Sequence, residues 1–363
     1  MSPRIQGALF AALAALAASA LRADVPGTGA ILAADALECP DVRAGEANFQ
    51  ADATLAKSQY EVSATRTRIG IDYAPARDDF VTRPVNRVEE STAVSLTARM
   101  ATDSDFSPLA VVGGYRGFTD YRSIWLDEYY RQYFTGVPGY AAVSPDGWNA
   151  LVGGRWTYVP GTAILQCTLL RQGDTISPGY EPQIGAPLLR GLSRLRTTQV
   201  RVSTENVVSP TVRTLLQAGA TNTTGRVTRY SLQGSVNWAL TGSLTLRSVV
   251  AGVREGDGFH AESASATLER DWDARWFLGL GARVYGDSGE VVDPLIVSSA
   301  APALRTLDVP VSLRWQGSRA ALSVEAGPYR TRYDVIPLAS TQFARLYANR
   351  NWTHVEGTAS WRF

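Results

Sequence analysis

The sequence predicts an all-β chain of about fourteen antiparallel strands closed into a barrel, apolar outside and polar inside. Three observations predict it. Segments that alternate apolar and polar residues at period two recur along almost the whole chain. Aromatic residues stand at the ends of several of these segments. The chain also finishes on such a segment, with Val355, Gly357, Ala359, Trp361 and Phe363 on one face and Glu356, Thr358, Ser360 and Arg362 on the other.

At the start, Met1 to Arg4 is short and basic, and Ile5 to Ala17 is an apolar run. Ala18-Ser19-Ala20 follows as a small-x-small site, so residues 1–20 read as a cleaved signal peptide, cut after 20 or 23. The run is too short for a membrane helix, which needs about 20 apolar residues. Residues 21–58 read as an N-terminal periplasmic segment or a short lumen insert, and 59–363 as the barrel. Ala47–Leu55 is a candidate extra strand. The first strands are the least defined, which leaves twelve or sixteen as alternatives to fourteen.

Tyr60 to Tyr73 changes phase midway, from Tyr60, Val62 and Ala64 to Ile69, Ile71 and Tyr73, and this predicts a bulge. Trp148, Ala150, Val152, Gly154, Trp156 and Tyr158 share one face of a strand with aromatics at both ends. Tyr230 to Leu240 alternates most cleanly, with Leu232, Val236 and Trp238 opposed by Ser231, Gln233 and Asn237. Phe259 to Trp272 is weaker, because Glu262 and Arg270 share a face with Ala264, Ala266 and Leu268. Trp276, Leu278, Leu280, Ala282 and Val284 make a further strand. Leu307 to Trp315 makes another, interrupted or bulged at Pro310, which brings no backbone donor.

The terminal segment resembles the C-terminal strand of bacterial outer-membrane β-barrels of the porin-like kind. That resemblance implies a transmembrane barrel in the outer membrane of a Gram-negative cell envelope. It implies Trp361 and Phe363 as the signal read by the barrel-assembly machinery, and outer-membrane lipid and lipopolysaccharide as partners.

Turn lengths test the topology, since such barrels have short periplasmic turns and longer outer loops. With Phe363 on the periplasmic side, the connections at Gln316–Ser318, Asp271–Ala274, Thr241-Gly242, Ser209-Pro210 and Pro160-Gly161 fall inside. All are tight and carry Gly, Pro or Asp. Asp334–Arg350, Asp287–Ala303, Glu255–Gly258, Asn222–Arg226 and Gln172–Arg194 fall outside, and most are long. Asp120–Asp146 contains an alternating stretch, but the parity holds only if it belongs to an outer loop. Its aromatics Tyr121, Trp125, Tyr129 and Tyr133 are then outer-loop candidates for ring-containing ligands such as carbohydrate.

The polar face would line a lumen. Its charged members are Arg99, Arg155, Arg201, Glu205, Arg213, Arg283, Arg314, Glu325, Glu356 and Arg362. They either flank an open aqueous path or pair across strands and fill it. The expected function is a porin-like channel for small polar solutes or saccharide export. The alternative is a structural or adhesive barrel that presents ligand- or partner-binding outer loops.

Several classes are excluded as expectations. Net charge of +1 argues against nucleic acid. Of the two histidines, His260 and His354, neither has a G-x-S-x-G-like context, so no catalytic residue is assigned and no enzyme is expected. No Gly-rich phosphate loop opens a helix, and acidic and His/Cys spacings suggest neither calcium nor zinc, so no cofactor or metal is assigned. Cys39 and Cys167 are the only cysteines, and export would permit a disulfide between them.

Overall fold

Alternation becomes strand throughout the barrel region, and also in a stretch where it is faint. The computed structural model describes residues 29–362 except 40, 56–57, 75–82, 101, 103, 120–123, 125–126, 129–130, 133–144, 179–191, 225, 257, 292–299 and 335–346. In chain order the strands are β1 (Gly29–Glu38), β2 (Val42–Leu55), β3 (Ser58–Tyr73), β4 (Val85–Arg99), β5 (Phe106–Arg116), β6 (Asp146–Val159) and β7 (Ala163–Pro178). They continue as β8 (Leu192–Ser209), β9 (Val212–Thr223), β10 (Arg229–Thr241), β11 (Leu244–Glu255), β12 (Phe259–Asp273) and β13 (Trp276–Asp287). After a two-residue pair outside the wall, β14 (Glu290–Val291) and β15 (Ala300–Ala301), come β16 (Ala303–Asp308), β17 (Val311–Gln316), β18 (Ala320–Asp334) and β19 (Arg350–Arg362).

Along the chain each wall strand pairs antiparallel with the next, except that β16 and β17 both bridge β13 and β18, and β1 also pairs with β19 from Gly29↔Arg362 to Glu38↔Thr353. The sheet therefore has no edge. Closure satisfies backbone groups on both sides of each strand, the condition for a sheet to live in lipid. The seventeen wall segments make sixteen staves, because β16 and β17 lie in line between β13 and β18.

The count is the sixteen left open beside the expected fourteen, and the two added staves are β1 and β2. Residues 29–55 are thus wall, not a periplasmic segment or lumen insert. Their outward positions are mostly Ala and Gly, such as Ala34, Ala36, Gly45 and Ala47, so the alternation is real but low in contrast. Residues 1–28 lie outside the described residues.

Gly29 and Arg362 define one rim of the barrel, the terminal rim. Its connections are 56–57, 100–105, 160–162, 210–211, 242–243, 274–275 and 317–319, and all are short. They close by local chemistry: Thr162 N donates to Val159 O at 3.1 Å, and Asp273 Oδ1 accepts from Arg275 N and Trp276 N at 2.7 and 2.9 Å. The distal rim carries 74–84, 117–145, 179–191, 288–302 and 335–349, plus the shorter 39–41, 224–228 and 256–258. β5 pairs directly with β6 across the connection 117–145, and among its described residues Ile124, Asp127, Glu128, Arg131 and Gln132 are helical.

Two expectations about strand irregularity change. β3 runs in unbroken register against both β2 and β4, so the phase change at Tyr60–Tyr73 is not a bulge. Tyr60 and Val62 point outward and are exposed, whereas Ile69, Ile71 and Tyr73 point inward and are almost fully buried. Apolarity moves from the outer face to the inner one because the distal interior is itself a packed core. At Pro310 the register also continues without a bulge, since Asp308↔Tyr329 and Val311↔Ala326 keep one frame. The missing donor merely splits the stave, and a Cβ on the neighbouring Gly327 would stand 2.4 Å from Val309 O.

The outer surface is apolar around most of the circumference. Val94, Val112, Val152, Val200, Leu232, Val250, Leu280 and Val324 are among its exposed side chains. Aromatics flank this band, with Trp148 toward the distal rim and Trp156, Trp238 and Trp276 toward the terminal one. Water would not tolerate so continuous an apolar surface, while a bilayer would.

Candidate functional site: the lumen wall

Residues directly opposite in register share a face, so the inner surface can be read strand by strand. It divides into three parts: a distal core, a basic arc and an acidic arc.

The distal core lies inside the mouth. Val42, Ile69, Ile71, Val85, Tyr333 and Trp352 point inward from β2, β3, β4, β18 and β19 and pack with Cys39, Phe118, Ile124 and Tyr347 from distal connections. Tyr333 and Tyr347 meet edge to face at 5.5 Å. The chain is turned into this core at Gly117, whose φ of +102° suits glycine and where a Cβ would stand 2.4 Å from Glu90 O. Burial pushes the Cys39 thiol up from its ordinary value, so it sits here as a neutral thiol. Cys167 lies on the outer face of β7, and both cysteines are free.

One ion-pair network clamps 117–145 to the wall. Arg87, inward on β4, contacts Glu89 at 2.6 Å, Asp127 at 2.7 Å and Glu128 at 3.6 Å. Asp127 is only 2% exposed and also accepts from Arg131 at 2.9 Å. Gln132 ties the same segment to Arg83 through the Arg83 N–H at 3.1 Å. The expected outer-loop aromatics Tyr121, Trp125, Tyr129 and Tyr133 lie outside the described residues.

The basic arc spans β4 to β9. Arg99, Arg155, Arg201 and Arg213 point inward there with Glu205, and none has an ion pair among the described residues. Arg201 does donate to Gln199 at 3.2 Å. Near the terminal rim a cavity of about 360 Å³ is lined by Gln59, Arg99, Ser107, Arg155, Gln166 and Glu205, among others.

Several inward charges on β11 to β17 are paired instead. Glu269 takes both Arg247 at 3.0 Å and Arg314 at 2.9 Å, and the Arg314 guanidinium lies 4.2 Å from the Phe277 ring centroid. Arg283 bridges Asp308 at 3.0 Å and Glu325 at 2.6 Å.

The acidic arc runs across β2, β1, β19 and β18. There Glu46, Asp35, Glu356 and Glu325 stand directly opposite one another in four consecutive staves. His354 adjoins this row, with Nε2 3.0 Å from Asp35 Oδ1 and Nδ1 3.4 Å from Asp308 Oδ2. Sequence spacing could not reveal the group, because its members lie far apart in the chain and meet only through register. His260, the other histidine, is exposed on the outer face of β12. Arg362 points inward at the terminal rim, and Trp361 outward opposite Ala30 and Ala320. Phe363 lies outside the described residues.

No protein-family model and no curated protein matches the chain. Solved structures do. A bacterial polysaccharide outer membrane secretin superposes with TM-score 0.50 at 9% identity, over 93% of this chain and 98% of that one. CdiB from Acinetobacter baumannii superposes with TM-score 0.54 at 9% identity, over 92% of this chain and 60% of that one. The fold is that of bacterial outer-membrane β-barrels.

Proposed function

We propose that the chain is an outer-membrane channel for small polar solutes or for saccharide export. Its termini would face the periplasm and its distal connections the exterior. The observation that carries this reading is a closed sixteen-stave wall whose inner face holds arginines with no ion pair among the described residues, beside glutamines and serines. Barrels of sixteen strands are wide enough to leave an aqueous path. The basic arc favours anionic or hydroxyl-rich cargo, since guanidinium groups recognise carboxylates and polar rings. Likeness in fold and length to a polysaccharide secretin is consistent with a saccharide.

No chemical step is part of this function. Residues 1–20 act as the export signal, Trp361 and Phe363 are read by the assembly machinery, and exposed distal arginines contact lipopolysaccharide phosphates. Liposome swelling with the refolded protein tests the channel reading. Faster entry of small uronates and neutral hexoses than in protein-free liposomes is expected, and equal rates would sink it.

The distal core favours a second reading, a barrel with a filled mouth that works by presenting its distal connections to partners. Under it, solute entry would stay at the protein-free rate even after 120–144 are removed.

A further inference from the structure

We propose that Asp308, Glu325 and His354 form a site for a divalent transition cation of the zinc or cobalt class, on the inner wall where β16, β18 and β19 meet.

The first ground is charge. The row Glu46, Asp35, Glu356 and Glu325 places like charges directly opposite across four staves, an arrangement that destabilises a sheet. Asp308 adds a fifth carboxylate beside it. The cationic partners within this group are Arg283, on Asp308 and Glu325, and His354 when protonated. Even counting both, three negative charges are left uncompensated. An ion held by His354 needs a neutral ring, which makes the excess four, and a divalent ion halves it.

The second ground is unsatisfied donor atoms. Asp308 is 3% exposed and His354 7% exposed, yet Asp308 Oδ1 and His354 Nδ1 have no hydrogen-bond partner. Buried polar atoms are normally satisfied, and the orphan Nδ1 faces the Asp308 carboxylate through its other oxygen, Oδ2. One ligand atom from each of Asp308, Glu325 and His354 lies within 4.8 Å of the other two.

The third ground is geometry. His354 Nδ1 and Asp308 Oδ2 are 3.4 Å apart. Two ligands about 2.0–2.1 Å from a tetrahedral ion are separated by about that distance. Asp35 at Nε2 is the carboxylate partner that fixes the ring of a metal-bound histidine. One imidazole with two carboxylates selects zinc, cobalt or manganese over calcium and magnesium, which take oxygen alone. Arg283 then shares Asp308 and Glu325 with the ion. The ion would staple three staves of the wall, whether or not the lumen conducts.

The test uses full-length refolded barrel stripped with chelator, then titrated with CoCl2, ZnCl2 or CaCl2 alone. The expected result is one Co2+ per chain with visible absorption of imidazole and carboxylate ligation, displaced by Zn2+ and not by Ca2+. His354→Gln and Glu325→Gln should each weaken uptake by about tenfold or more, the scale on which even outer partners act. His260→Gln should leave it unchanged. Heat-modifiable gel migration verifies that each variant is folded. No Co2+ uptake by the folded wild type, or uptake indifferent to His354→Gln, overturns the site.

Discussion

The two ends of the barrel interior are built on opposite rules. At the distal end the inner face carries Ile69, Ile71, Tyr73 and Val85, sealed by Phe118 and Ile124. At the terminal end the same strands turn Gln59 and Arg99 inward and send Tyr60, Val62 and Leu96 outside. One stave, β3, thus serves as membrane wall in its first half and protein core in its second. A period-two pattern reports only which face is apolar at that height. It does not report whether that face meets lipid or a folded-in connection.

Removing the connection that brings Ile124 into the distal core should have the largest effect. Replacing 120–144 with a short Gly-Ser bridge is expected to raise bilayer conductance severalfold while heat-modifiable migration persists. An unchanged conductance would show that this connection does not restrict the path.

Breaking the clamp comes next. Arg87→Ala leaves buried Asp127 with Arg131 as its remaining ion-pair partner, so the cost should fall below the about 3–5 kcal/mol of a buried charge left with none. That loss is expected to release the connection locally, read as protease cleavage within 117–145 of folded barrel that the wild type resists. Equal resistance would contradict the clamp.

Truncation on the two faces of the wall sharpens the contrast. Ile71→Ala should lower unfolding stability by about 2–5 kcal/mol, as for a packed core position. Leu280→Ala, at an outward position 58% exposed to solvent and covered by lipid or detergent, should cost less. Denaturant titration in micelles compares them, and equal losses would deny that the distal interior is a core.

The smallest structural effect belongs to the basic arc. Arg99→Glu with Arg155→Glu should shift reversal potential toward cations and leave stability almost untouched, because neither arginine has an ion pair among the described residues. An unchanged reversal potential would remove those residues from the conduction path.

Much of the wall was legible from the residues alone. Trp148 to Tyr158 and Tyr230 to Leu240 carry large apolar groups on one face, so their alternation has contrast, and tight Gly, Pro and Asp turns fixed the parity of the connections. β1 escaped, and β2 was seen only in part as the candidate strand Ala47–Leu55, because Ala and Gly fill most of their outward positions and small residues mark a face weakly. The bulge expected in β3 failed for a different reason, since the interior it faces changes character along its length. The Asp308, Glu325 and His354 group was invisible, because antiparallel register, not spacing, brings its members together. The unpaired basic residues were nameable as inward, but their lack of partners depended on the same register.

Planar-bilayer recording of the protein lacking 120–144 puts the proposed polar conduit to the sharpest test. Stable, anion-favouring conductance steps larger than those of the full chain are expected. Silence from that folded variant across the voltage range would rule the conduit out.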